Sequence, residues 1–120
     1  MTLRIQAVDS QVWTIAARGR IDLPAARAIE DAIGELCDGG HAHVVIDLGG
    51  VVYMASAGLA ALLNGVRRAR LLRGDVRLAA MNARVREVFE MSGFDQVFTI
   101  YDTVAEAVAS FGTGGGPPTA

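Results

Sequence analysis

Apolar and polar residues alternate at the start of the chain, with Leu3, Ile5 and Ala7 set against Arg4 and Gln6. A period of two predicts a half-buried strand. Asp9-Ser10-Gln11 reads as a turn. Val12 to Arg18 reads as a second strand with Trp13, Ile15 and Ala17 on one face, so the chain is expected to open with a hairpin. Gly19 to Leu23 reads as a connection. Pro24 then fits the first turn of a helix, where its missing N–H costs nothing, and Asp22 stands where the cap belongs. This helix is expected to run to about Cys37, burying Ala26, Ile29, Ile33 and Leu36 and leaving Arg27, Glu30, Asp31 and Glu35 in water. Asp38-Gly39-Gly40 ends it.

His43 to Leu48 is apolar with almost no alternation, the pattern of an inner strand covered on both faces. Gly49-Gly50 reads as a turn, after which Val51 to Met54 continues apolar. From Ser56 the period returns to that of a helix, ending near Arg73, with Leu59, Leu62, Leu63, Val66 and Ala69 as its buried stripe. A short strand, Val76 to Ala80, follows Gly74-Asp75. Asn82 is placed to cap a third helix that buries Val85, Val88 and Phe89 and stops at Ser92-Gly93. Val97 to Tyr101 reads as the last strand. Thr103 and Glu106 have the spacing of a capping box, opening a final helix with Val104, Ala107, Val108 and Phe111 inward. The order predicts an α/β domain over residues 1–111 with a mixed β-sheet, an N-terminal hairpin, four helices and later strands in parallel. Residues 112–120, rich in Gly and Pro, read as a loose, disordered tail.

Composition narrows the function more than the fold. The net charge of −2 argues against direct nucleic-acid binding, which calls for a basic patch. All basic residues are arginine, a matter of genome composition more than of function. A single cysteine, Cys37, excludes an internal disulfide and fits a reducing compartment. The N-terminus lacks a signal-peptide core, and no apolar run approaches the roughly 18–20 residues that span a bilayer. A cytoplasmic domain without membrane insertion is expected.

Ser56 is the residue that chemistry would single out. A serine at a strand-to-helix junction suggests a nucleophile elbow, yet Met54-Ala55-Ser56-Ala57-Gly58 lacks the first glycine of G-x-S-x-G. The histidines, His41 and His43, lie at the far end of the preceding strand, beyond the reach of a general base. Cys37, His41 and His43 fall short of a closed four-ligand metal site. The glycine pairs lack the lysine of a phosphate-binding loop. No metal or other cofactor is expected, and the chain does not read as an enzyme. Two readings of Ser56 remain. As an N-cap it would contribute about 0.5–2 kcal/mol over alanine. As a modification site it is flanked by the small residues Ala55, Ala57 and Gly58, which leave the hydroxyl open to another protein. A helix N-terminus also tolerates added negative charge, so the two readings are compatible.

Asp47-Leu48, Val51-Val52-Tyr53-Met54 and Ser56-Ala57-Gly58-Leu59 together resemble the STAS domain signature, D-L-S-x-V-x-F-[MI]-D-S-[SA]-G-L. Gly19-Arg20-Ile21-Asp22 resembles the family's G-x-[LI]-D before its first helix. Val85-Arg86-Glu87-Val88-Phe89 with Ser92-Gly93-Phe94, and Tyr101-Asp102-Thr103 with Glu106-Ala107, resemble its later elements. The resemblance implies an anti-sigma factor antagonist, a non-enzymatic regulator that binds an anti-sigma factor, often a serine kinase, and frees a sigma factor. Ser56 matches the serine that such a kinase phosphorylates to release the antagonist. Ala55 departs from the family's acidic residue before that serine, and Gly49 replaces a serine. The expected contact surface comprises Asp22, Leu23, Ala55, Ser56, Ala57, Gly58 and Leu59, with Asn64, Arg67 and Arg68 on the second helix. The protein is expected to be a monomer or weak homodimer. STAS domains also serve as fixed subunits of lipid transporters and stress-signalling scaffolds, in which case Ser56 would be only a cap.

Overall fold

The computed structural model describes residues 1–112. Strands β1 (Thr2–Ala7) and β2 (Val12–Ile21) form an antiparallel hairpin, closed by Asp9, whose carboxylate accepts the N–H groups of Gln11 and Val12. Then come α1 (Leu23–Asp38), β3 (His43–Met54), α2 (Ser56–Leu71), β4 (Asp75–Ala79), α3 (Ala83–Ser92), a 3-10 turn at Phe94–Gln96, β5 (Ile100–Tyr101) and α4 (Val104–Ala109). The five strands lie in chain order, β1-β2-β3-β4-β5, and every pair after the hairpin is parallel. The predicted mixed α/β architecture is therefore observed. The predicted tail beyond Gly112 lies outside the described residues.

The topology decides which face is covered. Right-handed crossovers between strands that never reverse their order put every connecting helix on one side. Ile15, Ile21, Val44, Ile46, Leu48 and Leu78 meet the buried faces of α1, α2 and α3 in one core. α4 alone packs on the other face, where Ala107 and Phe111 join Val12, Val45 and Ala79. β3 is thus buried on both faces along Val44, Val45 and Ile46, as its unbroken apolar run predicts.

Three boundaries differ from expectation. Gly49-Gly50 is not a turn, because β3 runs on without a break to Met54 and pairs with β2, which itself extends to Ile21. Two bulges absorb the misfit: Leu48 and Gly49 together face Ala17, and Val52 is left without a partner between Val51 and Tyr53. The last strand has only two residues, because Val97 and Phe98 follow the 3-10 turn and Phe98 points inward onto Phe89, ring centroids 5.8 Å apart. The predicted caps of three helices are present: Asp22 accepts from Ala25 N at 3.1 Å, Asn82 from Val85 N at 2.8 Å and Thr103 from Glu106 N at 3.1 Å.

Candidate functional site

The fourth cap corrects the sequence reading. Ser56 is not the N-cap of α2; Ala55 is, in extended geometry (φ −81°, ψ 164°), and a methyl group caps nothing. Ser56 is the first helical residue, and its exposed hydroxyl takes no part in the cap. The consequence shows in the first turn. In α1 and α3 the third helical N–H goes to the capping side chain, and the fourth reaches the cap carbonyl at 2.8 and 2.9 Å (Ala26 to Asp22, Arg86 to Asn82). In α2 the third N–H, from Gly58, folds back onto the Ala55 carbonyl at 2.9 Å, and the fourth, from Leu59, is stretched to 3.4 Å. The uncapped turn has tightened towards 3-10 geometry to satisfy itself.

The backbone beneath Ser56 is nonetheless held firmly. Ala55 N donates to Ile21 O at 2.9 Å, so the start of α2 is tied to the end of β2. Ile21 pairs with Met54, and Asp22 and Leu23 follow directly. The loop at Asp22–Leu23 and the turn at Ala55–Ser56 are thereby neighbours. Gly58 is buried against the same two residues: a Cβ there would collide with Met54 Sδ and stand 2.9 Å from Ile21 Cγ2. Gly58 and the buried Leu59 therefore support the surface from below, while Ser56 and Leu23 form it.

Three exposed apolar side chains belong to the segments that meet at this turn. Leu23 is 52% exposed, Val52 57% and Tyr53 43%. The bulge at Val52 is what turns two successive β3 side chains outward. Sequence inspection missed Val52 and Tyr53, since their apolar run reads as a buried strand. Arg20 lies across the Tyr53 ring, 4.3 Å from its centre, and broadens the patch with a cation.

The three polar residues expected on α2 do not act together. At about 100° per residue, Arg67 comes round to within about 20° of Ser56, on the same exposed stripe. Asn64 turns towards α1, with its amide 3.5 Å from the Glu30 carboxylate. Arg68 lies about 120° from Ser56. It pairs with Asp38 and crosses the surface of α1 at Gly34, where an added Cβ would stand 2.7 Å from its guanidinium. Arg67 remains the cation of this helix face that has no ion-pair partner among the described residues.

The chemistry available here is that of contact. His41 and His43 lie at the opposite end of β3, roughly 35 Å away along the strand. They are engaged with aromatic rings: His41 with Trp13 at 5.1 Å and His43 with Phe111 at 4.9 Å. A shallow depression of about 620 Å³ lies over Thr2, Arg4, Ala16, Arg18, Asp47 and Gly50, on the face that α4 leaves open, and Ser56 does not line it. The strand order never reverses, so the sheet lacks the switch-point crevice where doubly wound domains hold ligands. No helix of the described residues is long and apolar enough to cross a membrane.

Comparison with known proteins agrees with this geometry. Residues 5–107 match the STAS domain family. BtrV of Bordetella bronchiseptica, named as an anti-sigma factor antagonist, is 32% identical over 94% of this chain and 97% of its own length. The anti-sigma-F factor antagonist RsfB of Mycobacterium tuberculosis is 30% identical over 81% of this chain and 79% of its own. The crystal structure of an anti-sigma factor antagonist from Mycobacterium paratuberculosis superposes with a TM-score of 0.81 at 27% identity, covering 91% of this chain and 92% of that one.

Proposed function

The chain belongs to the STAS domain family, among the anti-sigma factor antagonists, and from that premise we propose that it works as a partner switch. In this reading it binds an anti-sigma factor that is also a serine kinase, frees the sigma factor held by that partner, and is released when Ser56 is phosphorylated. It performs no turnover of its own. The observation that carries the reading is the setting of Ser56: an exposed hydroxyl, free of the cap, on the first turn of α2, beside the exposed Leu23, Val52 and Tyr53.

The physical argument has two halves. A phosphate on Ser56 would sit at the N-terminus of a 16-residue helix that has no acidic residue in its first turn and no side-chain cap. The helix dipole and the free N–H groups there favour an anion, so the modification would leave the fold intact. The same phosphate would add about −1.5 to −2 charges to a surface that binds through apolar contact. Burying it costs its hydration. Facing a single carboxylate at 4 Å would cost about 4 kcal/mol at an effective dielectric near 20, roughly a thousandfold in affinity. In this scheme Asp22, Leu23, Ala55, Ser56 and Ala57 meet the partner, Gly58 and Leu59 support them, and Arg67 offers a cation to an acidic partner. Asn64 and Arg68 contribute mainly by bracing α2 against α1.

The test is a pull-down from lysate of the native host with Ser56→Ala and Ser56→Glu proteins side by side. An anti-sigma kinase recovered with the alanine form and not with the glutamate form is the expected result. Equal recovery of one partner by both forms would remove charge at Ser56 as the control. It would favour a fixed subunit of a transporter or signalling scaffold.

A further inference from the structure

The two edges of the sheet are unlike. β5 is an edge of two residues, too short to template another strand. β1 is an edge of six, paired in register with β2 from Thr2 to Ala7 with no bulge and no proline. Its only charged residue is Arg4. Ile5 is 44% exposed and Val8, just beyond the strand, 47%. Native sheets commonly blunt such an edge with bulges, prolines or charges, and β1 carries one charge and no other device.

We propose that β1 is a homodimer interface, in which the edges of two copies pair antiparallel about a twofold axis and join two sheets into one of ten strands. The register follows from the side chains. A twofold axis perpendicular to the sheet keeps the helix-covered faces of both copies on the same side. Opposed residues must point to the same side, so only registers that set odd against odd and even against even survive. Centring the pair on Arg4 would place two guanidiniums directly opposite, which is unfavourable. Centring it on Gln6 would leave Leu3 without a partner and set Arg4 against Val8. Centring it on Ile5 sets Ile5 against Ile5, Leu3 against Ala7, and Arg4 against Gln6. That register covers the exposed isoleucine, meets each Arg4 with an amide, and sets no like charges directly opposite, the two Arg4 side chains standing diagonally across the axis. The pairing is short, so the dimer is expected to be weak and concentration-dependent. It lies at the sheet edge, apart from the turn at Ser56, and it does not rest on the partner-switch reading.

The experiment combines sedimentation velocity with cysteine cross-linking on the full chain. Unmodified protein should show a weight-average sedimentation coefficient that rises with concentration. Ile5→Lys should weaken self-association at least about tenfold, through the like charges it sets face to face. Leu71→Lys, at an 84% exposed site on α2, should leave it unchanged. Ile5→Cys should form a disulfide-linked dimer under mild oxidation, since directly opposed residues lie about 4.5–5.5 Å apart at Cα, within disulfide reach. Arg4→Cys alone should not, whereas Arg4→Cys mixed with Gln6→Cys should cross-link. The native Cys37 is buried and does not compete. A chain that stays monomeric at millimolar concentration, or that cross-links as readily through Arg4→Cys as through Ile5→Cys, overturns the proposal. So does an edge that pairs only with the strand of a different protein.

Discussion

Replacing Ala55 by aspartate should stabilise the protein, and the first turn of α2 says by how much. Asp22 and Asn82 show what a capped turn looks like in this chain: the third N–H on the side chain, the fourth on the cap carbonyl at 2.8–2.9 Å. Ala55 already has the extended backbone of an N-cap and is fixed by its own bond to Ile21, so the substitution needs no rearrangement of the chain. Aspartate would draw the Gly58 N–H off the Ala55 carbonyl and let the Leu59 bond shorten from 3.4 Å. A cap of this type is worth about 0.5–2 kcal/mol over alanine. Because the Gly58 N–H already bonds to the Ala55 carbonyl, the lower half of that range, about 0.5–1 kcal/mol, is expected. At about 4 °C per kcal/mol for a domain of this size, the melting temperature should rise by about 2–4 °C. Urea unfolding should show a higher midpoint at unchanged slope, and amide exchange at Leu59 should slow. Ala55→Ser should give part of the gain, while Ala55→Leu should give none. A midpoint unmoved by both aspartate and serine would refute the argument that this helix lacks a cap.

Two further expectations test the packing around the site. Gly65→Ala would put a Cβ 2.6 Å from Ile33 Cδ1 where α2 crosses α1. Over-packing at about 1–3 kcal/mol should outweigh the gain of about 1 kcal/mol in helix propensity, so thermal unfolding should show net destabilisation. In an Ile33→Val background, which removes that methyl, the same change should become neutral or stabilising. The Cys37 thiol is pushed up from its usual value by burial, with the Arg68 guanidinium opposing and Asp38 adding to the shift. It should therefore react slowly with Ellman's reagent at pH 8 in the folded protein and at once in urea. The sign is that of a raised thiol: its contribution to stability holds below the ordinary thiol value and is lost as the pH rises through the folded one. Fast reaction of the folded protein would show that Cys37 is not shielded by the packing of α1 on the core.

The parts of the fold that were legible in the sequence are those where one period runs without interruption. The alternation in β1 and β2 gave the hairpin, the unbroken apolar run gave β3 its inner position, and the stripe from Leu59 to Ala69 gave α2 its buried face. Legibility failed where a contact distant in sequence overrides a local preference. A glycine pair usually turns, yet Gly49-Gly50 is kept in a strand by pairing with β2, which a local reading does not see. Serine usually caps, yet the bond from Ala55 to Ile21 fixes the helix start one residue earlier. Arg67 and Arg68 are equivalent in a charge count. Only the packing of α2 on α1 shows that Arg68 is engaged with Asp38 and that Arg67 is not. Ser56 itself was found through its motif, whereas Val52 and Tyr53 were hidden because a bulge, not a pattern, exposes them.

These features bear on how a modification at Ser56 could act. The turn is bonded to β2 through Ala55 and wedged against Met54 and Ile21 through Gly58, so the backbone beneath the serine has little freedom to move. A ligand or a charge shifts a conformational equilibrium only by its preference for one of two states. What the charge can change is the surface: the hydration and potential around Ser56, near which stand the exposed apolar residues Leu23, just after β2, and Val52 and Tyr53, near the end of β3. Ala55, where the family signature carries an acidic residue, leaves the first turn of α2 with neither a side-chain cap nor a carboxylate. A phosphate on Ser56 would then be the only negative charge of that turn, so the change in potential there would be its own and not an addition to a charge already present.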